Sequence, residues 1–515
     1  MKNVPSFFFY IIIFILTPIL PSCANTPIPF ANQDTHHLPT INNPPLSSTV
    51  RNANFSCTGN VHAQVLDLWN NSLKKYYQNQ INVGLIKTKD TYVLYNSEEF
   101  LHAFVRMARR CNNVEVLSDL AETFYPALNA QVSIPNNPQY LGWVCGGGRI
   151  CNNKNHLFGT EVNLCSVQFL GLLATISTAI IEDIPEKSQS DIERKFVSQT
   201  AISISSHLDR WLSPKMLKTI QARRTMTPAI AVNNTSSYFF TDQDLWAIDL
   251  IAELSELHNA KGKVIENDPY FNSLQSKRTQ ISQLIDLLLS RITISNDSNT
   301  AQVRAEIDAG YDRSSAESKF SAYNGNISPV DCTKGDGTSS ISVQWKPSYS
   351  SPTVGWDFSH TRRLVPALDA LRRNKDNLRI VFGYNNPKLN PEELSTAFSN
   401  QLIDKIWNQN KEFPLFTNFW NGSNGWYRVG YNNGTGCYSG NPPFGLVDAF
   451  PSGGYIEWGR FNPQIKTLGV RLYQLFNSID ATSVAFNKKY YFQGFGSITG
   501  RNLELIAFLP TLVDL

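Results

Sequence analysis

The sequence lacks the short motifs that mark several common enzyme chemistries. It contains no Gly-x-Ser-x-Gly, no phosphate-binding P-loop and no His-Glu-x-x-His. The signatures of a serine hydrolase, a nucleotide-dependent enzyme and a zinc protease are therefore absent. No Cys-x-x-Cys pair occurs either, which argues against a structural zinc site. We expect a protein that uses neither a metal nor a cofactor.

An excess of charge of one sign is also missing. The chain has 45 Lys and Arg against 42 Asp and Glu, a net charge of +3. This balance is too weak to favour nucleic acid as a partner, and it does not oppose an anionic substrate. Aromatic residues are plentiful, at 12% of the chain. They serve the core first, and they also stack on sugar rings. We expect a monomer.

The N-terminus has the pattern of a targeting segment. Lys2 is followed by an apolar run from Phe7 to Leu20, about the length of a signal peptide. Leu20-Pro21-Ser22-Cys23 then looks like the lipobox of a bacterial lipoprotein, in which Cys23 would carry lipid. Ordinary secretion and a retained anchor are the alternatives, although the run is short for a bilayer span. No later stretch is predicted to cross a membrane.

This pattern divides the chain into a signal over 1–23, a flexible tether over 24–55 and a single domain over 56–515. The tether is rich in Pro, Asn, Thr and Ser. Eight cysteines fit an exported protein in an oxidising compartment. Cys145 can form a local bridge with Cys151 or with Cys165, and the sequence leaves both pairings open.

Hydrophobic periodicity predicts a chain dominated by helices, with few strands. The predicted helices are Val61–Tyr77, Glu98–Arg110, Val114–Phe124, Val162–Ile181, Asp191–Trp211, Asp242–Leu257, Leu274–Ile294, Thr361–Arg373, Pro391–Trp407 and Pro463–Phe476. Leu503–Leu512 is predicted as a last helix or an apolar strand. Short β-prone runs occur at Thr91–Tyr95, Ser340–Trp345 and Leu378–Phe382.

The expected fold class is predominantly all-α. Long helices joined by loops rich in Trp, Gly and Asn favour an incomplete (α/α) toroid of paired antiparallel helices. In such a ring the loops converge on a central cleft. No sequence repeat supports the ring, so a helical solenoid or an irregular bundle is the alternative.

Residues 152–161, Asn-Asn-Lys-Asn-His-Leu-Phe-Gly-Thr-Glu, stand just before the most apolar predicted helix. The segment resembles the Asn-His-Leu-x-Gly-x-Glu type of motif in toroid-bearing polysaccharide lyases, including the heparinase II/III-like and alginate lyase families. The resemblance implies that Asn155, or Asn153 in another register, neutralises a uronate carboxylate. His156 would be the base or its helper. A helix-capping Asn followed by a partly buried His is the structural alternative.

A second segment, residues 308–324, resembles the alginate lyase segment in which an Arg and a Tyr follow an acidic residue and a Gly. The resemblance implies that Arg313 binds the acidic substrate and that Tyr323, or Tyr311, is the acid/base. A solvated loop with a packed Tyr is the alternative.

Two further segments combine aromatic and charged residues. In residues 355–363, Trp356 is a candidate for sugar stacking, whereas Asp357 can either face a cleft or cap a helix. His360 and Arg362 are further candidates there. The loop-rich block 420–462 is interpreted as a wall of the cleft. Its candidate residues are Trp426, Arg428, Asp448, Tyr455 and Glu457.

Together these features predict an exported enzyme that cleaves an acidic polysaccharide by β-elimination. One rival is an inverting glycoside hydrolase on the same toroid, which would use Asp357 with Glu457 or Asp448 as its two carboxyl groups. The other rival is a lipoprotein that binds glycan without cleaving it.

Overall fold

The structure is a computed structural model. It describes residues 53–148, 151, 156–227, 230, 238–260, 267–297, 302–311, 321–331, 340–341, 354–429, 438–491 and 497–515. Helices dominate these residues and the strands are short, so the predicted all-α class is confirmed.

Between residues 60 and 512 the described chain contains α-helices and short segments of π-helix and 3₁₀-helix. The α-helices are α1 Asn60–Leu68, α2 Lys74–Asn79, α3 Tyr92–Arg110, α4 Val114–Asn129, α5 Asn163–Asp183, α6 Asp191–Trp211, α7 Pro214–Thr225, α8 Asp242–Asn259, α9 Phe271–Ser276, α10 Arg278–Arg291, α11 Phe358–Thr361, α12 Leu364–Phe382, α13 Pro391–Gln401, α14 Ala449–Ser452, α15 Pro463–Phe476, α16 Ala481–Tyr490 and α17 Ile498–Phe508. Segments of π-helix lie at Trp69–Leu73, Gln80–Lys87 and Leu402–Ile406, and segments of 3₁₀-helix at Glu186–Ser188, Tyr455–Arg460 and Leu509–Leu512.

The strands form three separate antiparallel pairs in the described part of the chain. They are β1 Val132–Ile134 with β2 Asn137–Gly142, β3 Ile292–Asp297 with β4 Gln302–Ile307, and β5 Val330–Asp331 with β6 Ser340–Ile341. The prediction of β-prone runs at Thr91–Tyr95 and Leu378–Phe382 is wrong, because α3 and α12 include them. Their aromatic and β-branched side chains are largely buried on helix faces, where packing overrides local preference.

Local signals account for several helix boundaries. Ser190 forms a capping box with Glu193 at the start of α6, and Thr241 forms one with Asp244 at the start of α8. Proline occupies the first position of α13 and of α15, where its missing N–H costs nothing. Gly383, at φ 72°, ends α12 in the left-handed conformation. The predicted bounds of α6 and α15 agree with the structure at both ends.

Four long helices, α3, α5, α8 and α12, lie side by side and run in the same direction. Between α3 and α5, Glu98 contacts Gln168 near one end and Arg109 contacts Thr178 near the other. The same order of contacts continues along the other helices. Thr175 of α5 donates to Glu253 of α8, and Arg373 of α12 donates to Glu256 of α8. The N-termini of all four helices therefore lie at one end of the protein.

The remaining helices pack around these four. Helices α4 and α6 are neighbours of α5, and α17 packs on α3. Helix α5 is buried on nearly every side, as its apolar sequence predicts. By length and composition α5 is long and apolar enough to cross a membrane, contrary to expectation, but 94% of its apolar window is buried inside the protein. α5 is therefore interpreted as the central helix of the core.

Two disulfides join cysteines within the described part of the chain. Cys145 pairs with Cys151, which decides between the two predicted partners, while Cys165 is buried and belongs to neither disulfide. Cys57 pairs with Cys111, joining the segment ahead of α1 to the end of α3. Two disulfides favour an oxidising, exported environment.

Candidate functional site

The segment ahead of α12 is organised by one buried carboxylate. Asp357 accepts hydrogen bonds from the backbone N–H groups of Ser359 (3.0 Å) and His360 (3.1 Å) and so caps α11. Its other oxygen lies 2.5 Å from His360 Nδ1. Burial alone would raise the pKa of Asp357, but the His360 ring and the hydrogen bonds outweigh it and hold that pKa well below its usual range. Asp357 is therefore an anion that fixes the imidazole.

His360 connects three parts of the chain. The Tyr427 hydroxyl lies 3.3 Å from His360 Nδ1, and His360 Nε2 lies 3.9 Å from an Asp242 oxygen at the start of α8. Arg363 Nη1 is 3.7 Å from the same Asp242 oxygen. The predicted segments at 355–363 and 426–429 therefore meet at the N-terminal end of the four parallel helices.

The aromatic residues that were predicted to contact sugar are buried inside the protein. Trp356 has no exposed surface and lies against Tyr311, with ring centroids 5.3 Å apart. A fully buried indole cannot stack on a sugar, so that prediction is wrong for Trp356. Tyr455 is buried too, stacks on Phe358 at 4.6 Å and donates its hydroxyl hydrogen to the Phe358 carbonyl.

Trp426 and Arg428 are also largely enclosed. Trp426 is 6% exposed and donates from Nε1 to the Gly325 carbonyl at 2.7 Å. Arg428 is fully buried, with its guanidinium over the Tyr427 ring, and its φ of 56° is unusual for a residue with a side chain. Both residues support the packing of the loop block.

Glu457 is 1% exposed and is held by arginines. It accepts a hydrogen bond from Arg106 Nε at 2.6 Å and lies 3.6 Å from Arg110. Asp357 and Glu457, the predicted hydrolase pair, are thus both enclosed and engaged. Neither is open to a water molecule that it could activate in this conformation.

A narrow cavity lies between α3 and the start of α12, next to these groups. It has room for about one or two water-sized groups. Its lining combines acids, an imidazole and three guanidiniums with small residues: Glu98, Glu99, His102, Ala103, Arg106, Arg362, Arg363, Pro366, Ser452, Gly453 and Gly454. Of the residues predicted for the site, Arg362 borders this cavity.

Most of the cavity lining was not found from the sequence. Glu98, His102 and Arg106 are spaced four residues apart and so lie on one face of α3. All three are less than a tenth exposed. The sequence feature that indicates this buried face is the row of charged residues at every fourth position of a helix whose other positions are mostly apolar.

The lining residues hold one another in place. Arg362 Nη2 donates to Glu99 at 2.8 Å, and Arg363 Nη2 donates to the Tyr95 hydroxyl at 3.0 Å. His102 Nδ1 lies 3.0 Å from Glu98. Burial, followed by the charge of Arg106, lowers the pKa of His102, so this imidazole is neutral at neutral pH.

Asp448 is the predicted carboxylate that remains exposed. Desolvation by the groups around it raises its pKa to about 6. Arg362 opposes that shift and Glu99 adds to it. An accessible carboxyl group whose pKa is raised suits a proton donor.

The motif at 152–161 is described only in part. Asn153 and Asn155 lie outside the described residues, as do Arg313 and Cys23. His156 is exposed at φ 59°, and among the described residues no hydrogen bond joins it to Asp357, Glu457 or the cavity. Glu161 anchors the segment, at 3.1 Å from His207 and 2.6 Å from Arg210.

Tyr323 belongs to the loop block rather than to the His156 segment. Its carbonyl accepts the Trp426 N–H at 2.8 Å, and its ring packs against the small cluster of Val330, Trp426 and Val429. Three of the four predicted segments therefore come together in the described structure.

Within the described ranges no group of three or more His, Cys, Asp or Glu side chains is arranged to hold a metal ion. No family model, no curated protein and no solved structure matches this chain. The site must be interpreted from its own geometry.

Proposed function

We propose that this protein is an exported enzyme that cleaves a uronate-containing polysaccharide by β-elimination. The supporting observation is the cavity between α3 and α12, where three guanidiniums, two carboxylates and an imidazole surround one small space. It lies beside the N-terminal end of α12, whose dipole adds positive potential there. We further propose that the four helices are the inner part of an incomplete (α/α) toroid.

Elimination makes demands that such a site can meet. The proton at C5 of a uronate is weakly acidic, because its removal adds charge next to a carboxylate. Donors that bind the carboxylate lower this barrier, and a neutral imidazole can accept the proton. The resemblance at 152–161 supplies Asn155 and His156 for these two roles, with Tyr323 and Arg313 as further candidates. Arg362 adds a fixed positive charge.

The test is a panel of uronate-containing and neutral glycans incubated with the mature protein. Ultraviolet absorbance of the unsaturated product reports elimination, and reducing ends report any cleavage. Asn155→Ala should remove elimination while Asn153→Ala retains it, if the register of the resemblance is right. The proposal fails if no uronate glycan yields unsaturated product.

An inverting glycoside hydrolase is the second candidate because Asp448 is accessible. Its partner carboxylate, Asp357 or Glu457, is enclosed in this conformation, so this candidate requires that one of them become open to water. In that enzyme Asp448 would protonate the leaving oxygen. Reducing ends without unsaturated product, lost in Asp448→Asn, would establish it. Glycan binding without turnover would instead indicate the binding lipoprotein.

A membrane partner belongs to the same proposal. If Cys23 carries lipid, the residues that follow it tether the domain to a bilayer, and the protein acts on polysaccharide outside the cytoplasm. The predicted end of the tether is too late, because Phe55 packs on Tyr473 and so belongs to the domain. A single acyl chain binds a membrane only reversibly. Stable attachment through Cys23 therefore requires that the modified cysteine carry more than one acyl chain.

A further inference from the structure

Asp249 of α8 is a carboxyl group enclosed in the core. It is 1% exposed, and neither of its oxygens has a hydrogen-bond partner among the described residues. A Cβ on Gly171 of α5 would lie 2.7 Å from the Trp246 ring and 3.1 Å from Asp249 Oδ2. The two helices therefore leave no space for water beside this carboxyl group. Burying a carboxylate is costly unless donors or a cation accompany it, and no donor reaches Asp249.

The helices around α8 supply no counter-charge that bonds to Asp249. The buried residues of α5 include no Asp, Glu, His, Lys or Arg. Arg106 of α3 and Arg373 of α12 act on Asp249 electrostatically. Both arginines already bind other carboxylates: Glu253, Glu256, Asp369 and Glu457. The buried ionisable side chains of α6 and α10 are also engaged with other groups: Glu193, His207, Asp209 and Arg291.

Acidic neighbours add to the cost of a charge on Asp249. Glu253 follows it by one helical turn, and Glu98 of α3 acts on it from the other side. Burial, and then the charge of Glu253, raise the pKa of Asp249 well above its usual range, although Arg373 opposes the shift. His102 of α3 is neutral and adds no cation. The folded protein therefore holds a proton on Asp249, whereas the unfolded chain releases it above about pH 4.

We propose that Asp249 is a proton-dependent joint between α5 and α8: with the proton the helices pack closely at Gly171, and after its loss to water they separate there. Separation follows because an unpaired carboxylate must reach water or a cation. The joint connects two parts of the candidate site. α5 follows residues 152–161 in the chain, and α8 begins at Asp242, 3.9 Å from His360. The inference does not depend on the proposed function.

Three variants test the joint. Asp249→Asn keeps the size of the side chain and cannot ionise. Asp249→Ala also removes the acid and replaces Asp249→Asn in the experiment if the amide is not tolerated. Asp244→Asn on the same helix is the matched control, because Asp244 is also buried but accepts two hydrogen bonds from Arg223, at 2.7 Å and 3.0 Å.

Scanning calorimetry from pH 5 to pH 9 measures the Tm of each protein. A carboxyl group whose pKa is raised on folding stabilises the fold most below its unfolded pKa, and that contribution is lost as pH rises through the folded pKa. One such proton changes the unfolding equilibrium tenfold per pH unit, or roughly 1 °C of Tm for a chain of this length. Asp249→Asn should gain that much on the wild type with each pH unit until the wild type loses its proton. Asp244→Asn should melt below the wild type at every pH, without such a gain.

Hydrogen exchange read by mass spectrometry locates the opening. Because opening releases the proton, it becomes easier as pH rises. At pH 9, peptides from α5 and α8 should exchange faster in the wild type than in Asp249→Asn, and peptides from α15 should exchange alike in both proteins. A difference in Tm that stays constant with pH would show that Asp249 holds no proton in the fold and would overturn the inference. Equal exchange of α5 and α8 in the two proteins would refute the separation, and with it the joint.

Discussion

Arg373 on α12 should be one of the residues on which stability depends most. It contacts Glu253 through Nη2, Glu256 through Nη1 at 3.0 Å and Asp369 through Nε at 3.1 Å. Glu253 is 1% exposed and Glu256 is 9% exposed. Arg373→Met keeps an unbranched apolar stem and leaves these buried carboxylates without their shared cation.

The size of the effect follows from burial. Removing one partner of a buried ion pair costs about 3–5 kcal/mol. With about 2.1 cal/mol/K of unfolding entropy per residue, a chain of this length loses roughly 1 °C of Tm for each kcal/mol. We therefore expect Tm to fall by about 3–5 °C at pH 8. Arg379→Met on the same helix is the control, since Arg379 and Asp376 are 57% and 87% exposed, and exposed pairs contribute little.

The loss should depend on pH in a definite direction. Burial and then the charge of Glu253 raise the pKa of Glu256 to about 8, although Arg373 and Arg109 oppose this. A carboxyl group whose pKa is raised on folding stabilises the fold below its unfolded pKa, and that contribution is lost as pH rises through the folded pKa. Without Arg373 the pKa rises further. Because Glu256 is protonated in both folded proteins well below pH 8, the part of the gap in Tm that comes from Glu256 should stay nearly constant from pH 5 to pH 7 and widen as pH rises through about 8.

Differential scanning calorimetry from pH 5 to pH 9.5 measures this gap. An Arg373→Met variant that melts within about 1 °C of Arg379→Met at pH 8 would refute the reasoning. A gap that narrows as pH rises would refute the assignment of the effect to the two glutamates.

Three more results are expected. His156→Ala should reduce elimination by roughly two to four orders of magnitude if His156 is the base, with an unchanged melting curve because the side chain is exposed; a variant with wild-type turnover would exclude that role. Replacing Cys57 and Cys111 by Ser should cost about 4 kcal/mol and replacing Cys145 and Cys151 about 2 kcal/mol, because the two loops close over 54 and 6 residues; denaturant unfolding that ranks them the other way would contradict the loop-entropy argument. Mass spectrometry of the mature protein should find a lipid-modified Cys23, and an unmodified N-terminus beyond that residue would indicate ordinary secretion.

The sequence was sufficient for elements whose signals are local. The bounds of α6 could be predicted because Ser190 and Glu193 mark its start and its apolar face is regular. α12 shows the opposite case. It extends nine residues beyond the predicted end at Arg373, because Leu378, Val381 and Phe382 are buried, and a run of this composition resembles a strand when tertiary packing is unknown.

The sequence predicts residues of the site only where they lie in loops beside helix ends. Asp357, His360 and Arg362 were identified because they follow one another next to a helix start. Glu98, His102 and Arg106 were missed because a charge on a helix is usually solvated, and periodicity alone does not show that α3 turns this face inwards. Their role depends on α12 and on residues 453–454, which are more than 250 positions away.

The cost of burial argues that this charged face has a purpose other than stability. Burying Glu98, His102 and Arg106 requires each to be desolvated, and replacing buried ion pairs by apolar residues often leaves proteins as stable or more so. α5, which packs beside α3, shows that the same core accepts a helix that is apolar nearly all round. Arg109 of α3 pairs with Glu182 and Glu256, whereas Glu98, His102 and Arg106 border the cavity beside the start of α12. A charged face that is costly for the fold and lines a cavity is typical of a functional site, because its stabilising contribution alone does not account for it.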